Sequence, residues 1–341
     1  MRIRLTAVLA AAMVIGALAA GQAGQAPPGS KKQRLNPMID LLDQQKPIFG
    51  LYAPANRGGG AGRPGGAGAP VSAAPPAAPK TPLELAKDAL AQTTSDYIFS
   101  GSMEGGVDRG LAAFTEFAGA LGEAGLLVKS PYPHLQQPLV VKTPKIAEDP
   151  VKAIDNISRQ LNTGVSTIVF VGVESANEVK QGLAAMRYAS QGGTRPDTTG
   201  TAPALWGLSE ADYKKKADVW PLNPNGELVN WTIVESKEGL AHVKEIAAVK
   251  GIGVLWPGAG TLRQVFSTTQ PDGTRKLDEA GWENAIQTVL AACKEFNVPC
   301  GYPANATDIE MRMKQGFSVF VMNWGDPGVR AIEIGKKAAG R

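Results

Sequence analysis

The sequence predicts an α/β fold, a closed (β/α)8 TIM barrel. Three observations predict it. Eight short apolar runs alternate with helix-like segments along 341 residues, a length that suits one such barrel with extensions. The run Ser166–Val173 is almost unbroken in apolar residues, as a parallel strand covered on both faces is. Asn230–Leu262 reads as strand, helix, strand, and its first apolar run ends in a carboxylate, Glu235. An open doubly wound sheet is the alternative. No Gly-x-Gly-x-x-Gly follows the first strand and there is no P-loop, which weakens the nucleotide-binding versions of it.

In chain order, Arg2 and Arg4 followed by the Ala-rich run Leu5–Ala20 read as a secretory signal over residues 1–26. An uncleaved anchor is the alternative, but the run is short for a span of about 20 residues. The mature chain is then expected to be periplasmic or secreted, without stable membrane insertion. Residues 27–46 form an extension with an amphipathic helix at Pro37–Gln45, carrying Met38, Leu41 and Leu42 on one side. The barrel domain occupies 47–341, and its first strand is Ile48–Ala53. Residues 57–80 are dominated by Gly, Ala and Pro, cannot bury enough apolar surface to offset chain entropy, and read as a disordered insert.

Thr81-Pro82 opens a helix to Ala91, with proline in the first turn. Asp96–Ser102 is the second strand, and Gly110–Ala124 carries apolar residues at helical spacing. Pro138–Thr143, Ser166–Val173, Leu228–Glu235, Gly253–Trp256, Val298–Tyr302 and Phe317–Asn323 are strands three to eight. Helices are expected at Pro150–Leu161, Asn177–Tyr188, Leu240–Val249, within Leu277–Phe296, at Thr307–Gln315 and at Pro327–Lys337. Thr307 and Glu310 have capping-box spacing. Gln191–Asn225 is a long polar connection holding one short helix, Ser209–Lys215, with Ser209 as its N-cap.

Composition excludes some classes. Net charge is +4, and no basic run with interleaved aromatics suggests nucleic acid. Two histidines, His134 and His242, leave little for a His-rich metal site. Cys293 and Cys300 are permitted a disulfide in an oxidising compartment, though two buried thiols is the favoured reading.

The barrel places chemistry at the C-terminal ends of its strands. Those ends are Ser100–Gly106, Lys142-Thr143, Gly172–Glu174, Glu235–Lys237, Pro257–Thr261, Tyr302 and Asn323-Trp324. Lys142 shares a face with Pro138 and Val140, so it points to the mouth, where it can hold an anion or form a Schiff base. A solvated lysine is the plain alternative. Glu235 can ligate a divalent cation or pair with a lysine. Glu104 sits in a Gly-rich turn and is a second catalytic candidate.

Four stretches carry a family resemblance. Asp96-Tyr-Ile-Phe-Ser-Gly-Ser-Met-Glu-Gly-Gly, Val171-Gly-Val-Glu-Ser-Ala-Asn-Glu with Met186-Arg-Tyr-Ala-Ser-Gln-Gly-Gly-Thr-Arg, Ile233-Val-Glu-Ser-Lys-Glu-Gly-Leu, and Gly253-Val-Leu-Trp-Pro-Gly-Ala-Gly-Thr-Leu resemble the HpcH/HpaI aldolase/citrate lyase family over Pro47–Lys337. The resemblance implies a metal-dependent lyase that makes or breaks a C–C bond through a pyruvate-type enolate. It implies a divalent metal (Mg, Mn or Co) on Glu235, a 2-keto acid substrate held by Lys142, Gly258, Gly260 and Thr261, and a homo-oligomer.

The chain departs from that pattern at five places. The family's second metal ligand, an Asp, falls on Gly260 or Thr261. Its second-strand His falls on Gly105 and the Asp before it on Ser102. Its third-strand Arg falls on Lys142, which keeps the charge but loses the bidentate fork. A Gln two residues before the metal Glu falls on Ile233. Two further readings therefore stand beside the enzyme. One is a catalytically inactive binder of an oxyanion or sugar acid, aided by Trp206, Trp220, Trp231, Trp256 and Trp324; barrel packing is preferred for Trp231 and Trp256. The other is an assembly role with the 57–80 insert as a tether.

Overall fold

The computed structural model describes residues 33–56 and 78–341. The signal segment and nearly all of the insert lie outside them. The described residues from Arg34 to Arg341 form one compact unit. Its eight principal strands are β1 Ile48–Tyr52, β2 Tyr97–Ser100, β3 Leu139–Thr143, β4 Thr167–Phe170, β5 Leu228–Val234, β6 Val254–Pro257, β7 Gly301–Pro303 and β8 Val319–Met322. All pair in parallel, in the order β7–β8–β1–β2–β3–β4–β5–β6. The sheet curls until β6 and β7 meet through a single parallel bridge, Leu255–Cys300. This is a TIM-barrel-like α/β fold whose last seam is a bridge in place of a ladder.

Strand side chains alternate between two cores, as the pleat requires. Phe49, Leu51, Ile98, Val141, Ile168 and Phe170 face the surrounding helices. Ile48, Tyr97, Phe99, Val140, Val169, Trp231, Ile233, Trp256 and Val321 face inward. The interior is aromatic: Trp231 stacks on Trp256 at 5.6 Å and meets Tyr97 edge-on at 5.2 Å. Two inward positions are glycine because these rings need the space. A Cβ on Gly50 would lie 2.2 Å from the Tyr97 ring, and one on Gly301 would lie 1.7 Å from that of Trp256. Packing, the preferred reading for Trp231 and Trp256, is what they do. Trp206 is also fully buried, so none of these three can stack on a sugar.

The helix Pro37–Asp43 closes the end of the barrel opposite the mouth. Asn36 caps it, and Met38, Ile39 and Leu42 join the interior cluster. Burying each contributes about 1.5–3 kcal/mol. Arg34 donates to the carbonyls of Pro224 and Gly226, and the backbone N–H of Asn36 donates to the Glu227 carboxylate. That anchors the extension onto the loop before β5.

The helices follow the expected order with local differences. Thr81 and Glu84 form a capping box at Pro82–Ala91, and Ser209 caps Glu210–Lys216. The capping box expected at Thr307 does not form. Asp308 is the N-cap residue, and the Thr307 hydroxyl donates to Asn305 instead, in a local turn that competes with the cap. The helix expected at Leu240–Val249 is two short ones, Lys237–Ala241 and Val243–Ala247, joined at His242. The long connection is less polar than its composition suggests. Ala202–Trp206 is helical, Val219–Trp220 pairs with the start of β5, and Tyr213 is fully buried. Cys293 and Cys300 form a disulfide, against the favoured reading of two thiols. The helix Glu279–Glu295 turns directly into β7, which sets their Cα atoms 5.7 Å apart, within bridging reach.

Candidate functional site

The inward register continues past the packed layers to the mouth. Tyr52, Lys142, Glu235 and Asn323 each lie two residues beyond an inward residue of β1, β3, β5 and β8. Lys142 does share the face of Val140, as the alternation predicts. It is not solvated. Its side chain is 17% exposed and its Nζ lies 3.0 Å from both carboxylate oxygens of Glu104.

The turn after β2 builds this pair. The N–H groups of Glu104 and Gly106 donate to the carbonyls of Gly101 and Met103. Met103 is fully buried and anchors the turn, leaving Glu104 turned toward β3. Gln160, also fully buried, ties the two pieces together: its Nε2 donates 2.8 Å to the Lys142 carbonyl and lies 3.8 Å from the Met103 sulfur. Burial pulls the Lys142 ammonium toward the neutral form. The charges of Glu104 and Glu235, the nearby Tyr52 phenol and the Glu104 hydrogen bonds outweigh it and raise its pKa above 10.5. Lys142 therefore stays an ammonium at neutral pH.

Glu235 follows β5 directly and is half-buried. Its carboxylate lies across Gly258, where an added Cβ would come within 2.5 Å of Oε2. Gly258 is thus required by the position of Glu235. Among the described residues the Glu235 carboxylate accepts no side-chain hydrogen bond, and it acts on Lys142 through space. Gly258 also precedes the short helix Ala259–Val265, whose start no side chain caps. Gly260 is exposed, with nothing within 4 Å of its missing Cβ, and Thr261 is half-buried.

One mouth residue escaped the sequence reading, Tyr52 at the end of β1. Ser100, among the expected strand ends, closes β2 and meets Ser102 at 3.0 Å between hydroxyl oxygens. Extending the Ile48, Gly50 alternation by one step would have found Tyr52. Tyr302, counted among the mouth positions, faces outward: it packs on Phe317 and lies under the Arg312 guanidinium at 4.4 Å. A cavity of about 620 Å³ opens beside the mouth, between the ends of β1 and β2 and the helices Pro82–Ala91 and Val107–Ala124. It shares Tyr52, Gly101 and Asn323 with the mouth and has Phe99, Phe114 and Phe117 on its wall. Lys142 and Glu235 do not line it, so the charged groups lie next to the cavity.

The donor set does not fit a divalent ion. Among the described residues no three His, Cys, Asp or Glu side chains converge on one point. Glu235 has no carboxylate from the following loop to join it, and Glu104 is committed to Lys142. A hard cation needs several oxygen ligands, and of these two carboxylates only that of Glu235 is free to supply one.

Comparison with known proteins places these features in context. The family model for HpcH/HpaI aldolase/citrate lyase matches residues 125–317. A hydroxypyruvate/pyruvate aldolase of Delftia acidovorans is 28% identical over 142 residues, 42% of this chain and 49% of that protein. A second, from Paraburkholderia phytofirmans, is 30% identical over 109 residues, 31% of this chain and 39% of that protein. The matches thus span half or less of these curated relatives. Among solved structures, an HpcH/HpaI family protein from Burkholderia cenocepacia superposes with a TM-score of 0.61 at 20% identity, covering 89% of this chain and 98% of the other. Macrophomate synthase gives 0.54 at 18% identity, covering 89% of this chain and 87% of the other. At these identities the structural likenesses support the fold alone.

Proposed function

The chain belongs to the HpcH/HpaI aldolase/citrate lyase family, and we propose that it is a carbon–carbon lyase acting on a 2-keto acid through a pyruvate-type enolate. The observation that carries this reading is the mouth itself: a fixed ammonium, Lys142, with a carboxylate, Glu235, facing the same space. In the cleavage direction the C2 carbonyl oxygen accepts a hydrogen bond from Lys142. Glu235 takes the proton of the C4 hydroxyl, and the C3–C4 bond breaks. The aldehyde leaves, and the electron pair passes into the enolate, whose oxygen Lys142 stabilises. Glu235 then returns its proton to C3, giving pyruvate and restoring the carboxylate. The substrate carboxylate is assigned to the start of Ala259–Val265, at Gly258, Gly260 and Thr261. The cavity beside Tyr52 and Asn323 has room for the rest of the substrate.

The protein is further proposed to be exported, to the periplasm or outside, on the pattern of Arg2, Arg4 and Leu5–Ala20. A homo-oligomer is proposed on family grounds only. No described helix is long and apolar enough to cross a membrane. One observation favours a second reading, an inactive small-ligand binder: Ser102 and Gly105 stand where the resemblance expects an acid/base pair.

The test is pyruvate release from a panel of 4-hydroxy-2-keto acids, with and without added Mg, Mn and Co. The lyase reading expects release from at least one of them, lost in Glu235→Gln. Saturable oxyanion binding with no release from any would favour the binder.

A further inference from the structure

We propose that the Lys142 ammonium is itself the cation of this site, so that the enolate forms against it without a divalent ion. The proposal rests on the lyase reading above and replaces the metal that the family resemblance implies. Three observations carry it. First, no three His, Cys, Asp or Glu side chains converge on one point among the described residues, and Glu235 has no second carboxylate from the following loop beside it. Second, a permanent positive charge already occupies the mouth. Lys142 lies on the inward face between Glu104, which holds it at 3.0 Å through both oxygens, and Glu235, which acts on it from further away.

Third, the ammonium has a donor to spare. A lysine carries three N–H donors and no acceptor. Glu104 accounts for at most two of them, and no other acceptor among the described residues lies within hydrogen-bond range of Nζ. The remaining donor can meet a carbonyl oxygen whose charge grows as the enolate forms. Glu104 and Gln160 are positioning residues here. Glu104 fixes the ammonium, and Gln160 fixes the strand end that carries it. A Schiff base asks for the opposite state of the same nitrogen, a neutral amine free of its carboxylate, so the geometry favours the electrostatic role.

The test is calorimetric titration of oxalate, a planar mimic of the pyruvate enolate, into the full chain stripped with a chelator. Wild type is expected to bind oxalate without metal, and excess magnesium is expected to leave the affinity unchanged. Lys142→Met is expected to bind about ten- to a hundredfold more weakly, the loss of one charge-assisted hydrogen bond. Lys142→Arg, which keeps the charge, is expected to recover most of the affinity and guards against a folding defect in the Met variant. Binding that appears only with magnesium, binding undiminished in Lys142→Met, or no oxalate binding in any state would each overturn the proposal. So would a borohydride-trapped pyruvate adduct on Lys142. Metal-free, Lys142-dependent oxalate binding in a protein that cleaves no 2-keto acid would sink the lyase reading and leave the cation assignment standing.

Discussion

At the scale of single residues, the mouth depends on two close approaches. The first is Lys142 on Glu104. Removing one donor to a developing oxyanion typically costs about a hundred- to a thousandfold in turnover. Lys142→Met is therefore expected to lower kcat by about a hundredfold or more while circular dichroism stays that of the wild type. The second is Glu235 across Gly258. Gly258→Ala puts a methyl within 2.5 Å of Oε2, so the carboxylate must move. Its kcat should fall much further than its melting temperature. The charge state of Lys142 also sets a pH expectation. Its pKa in the fold is raised above its ordinary 10.5. The ion pair therefore contributes stability that is fully present below the unfolded value and is lost as pH rises through the higher folded value. Activity carried by the ammonium should persist through neutral pH and fall only above about 10.5, read from a kcat–pH profile. An alkaline limb near neutrality would contradict the assignment of Lys142.

At the scale of elements, the barrel is held unevenly. Most neighbouring strands share ladders of three or four residue pairs, whereas β6 and β7 share one bridge, at Leu255 and Cys300. Cys300 is also half of the disulfide, which ties the C-terminal end of the helix Glu279–Glu295 to the β7 side of that seam. Closing so short a loop is worth roughly 2–3 kcal/mol in the chain-entropy account. The Cys293→Ala/Cys300→Ala double variant should melt several degrees lower. Its amide exchange should rise first at Leu255 and Gly301, and a uniform rise would show that the seam is not special. Across the barrel, Asp96 gathers the other ends. It accepts from the Phe49 N–H and pairs with Lys336 and Arg341, with its own side chain only 10% exposed. Asp96→Ala leaves that amide and both cations without their partner and should cost about 2–4 kcal/mol by urea unfolding.

These elements also show what the sequence could and could not display. Strand positions were legible because apolar runs between turn residues have few other uses, and Lys142 was placed on the inward face by alternation alone. The seam was not legible. Whether two thiols meet depends on where a helix ends relative to the next strand, a matter of one or two residues. The ion pair of Lys142 with Glu104 was missed for a related reason. Its partner lies 38 positions away in a turn whose direction is set by the burial of Met103. Arg195 and Tyr213 are both buried in a stretch that composition marks as a polar loop.

At the scale of the whole molecule, the barrel is the family's and the mouth is its own. The aromatic interior, with glycines at 50 and 301 making room for Tyr97 and Trp256, leaves no channel, so chemistry is confined to the rim. Gly301→Ala should unfold the protein more readily than any rim variant, by about 1–3 kcal/mol or more, because its methyl has no space beside the Trp256 ring. At the rim, Gly260 or Thr261 stands where the resemblance expects the second metal carboxylate, and no three metal-ligating side chains converge among the described residues. Lys142 with Glu104 and Glu235 is enough to form an enolate if the oxygen is met by Lys142 and the proton by Glu235. Exchange of the pyruvate methyl protons in D2O, followed by proton NMR on chelator-treated protein, asks for that step and nothing else. We predict exchange well above the buffer rate in the wild type, reduced about a hundredfold in Lys142→Met. Exchange at the buffer rate in the wild type, or equal rates in the two proteins, would contradict the account.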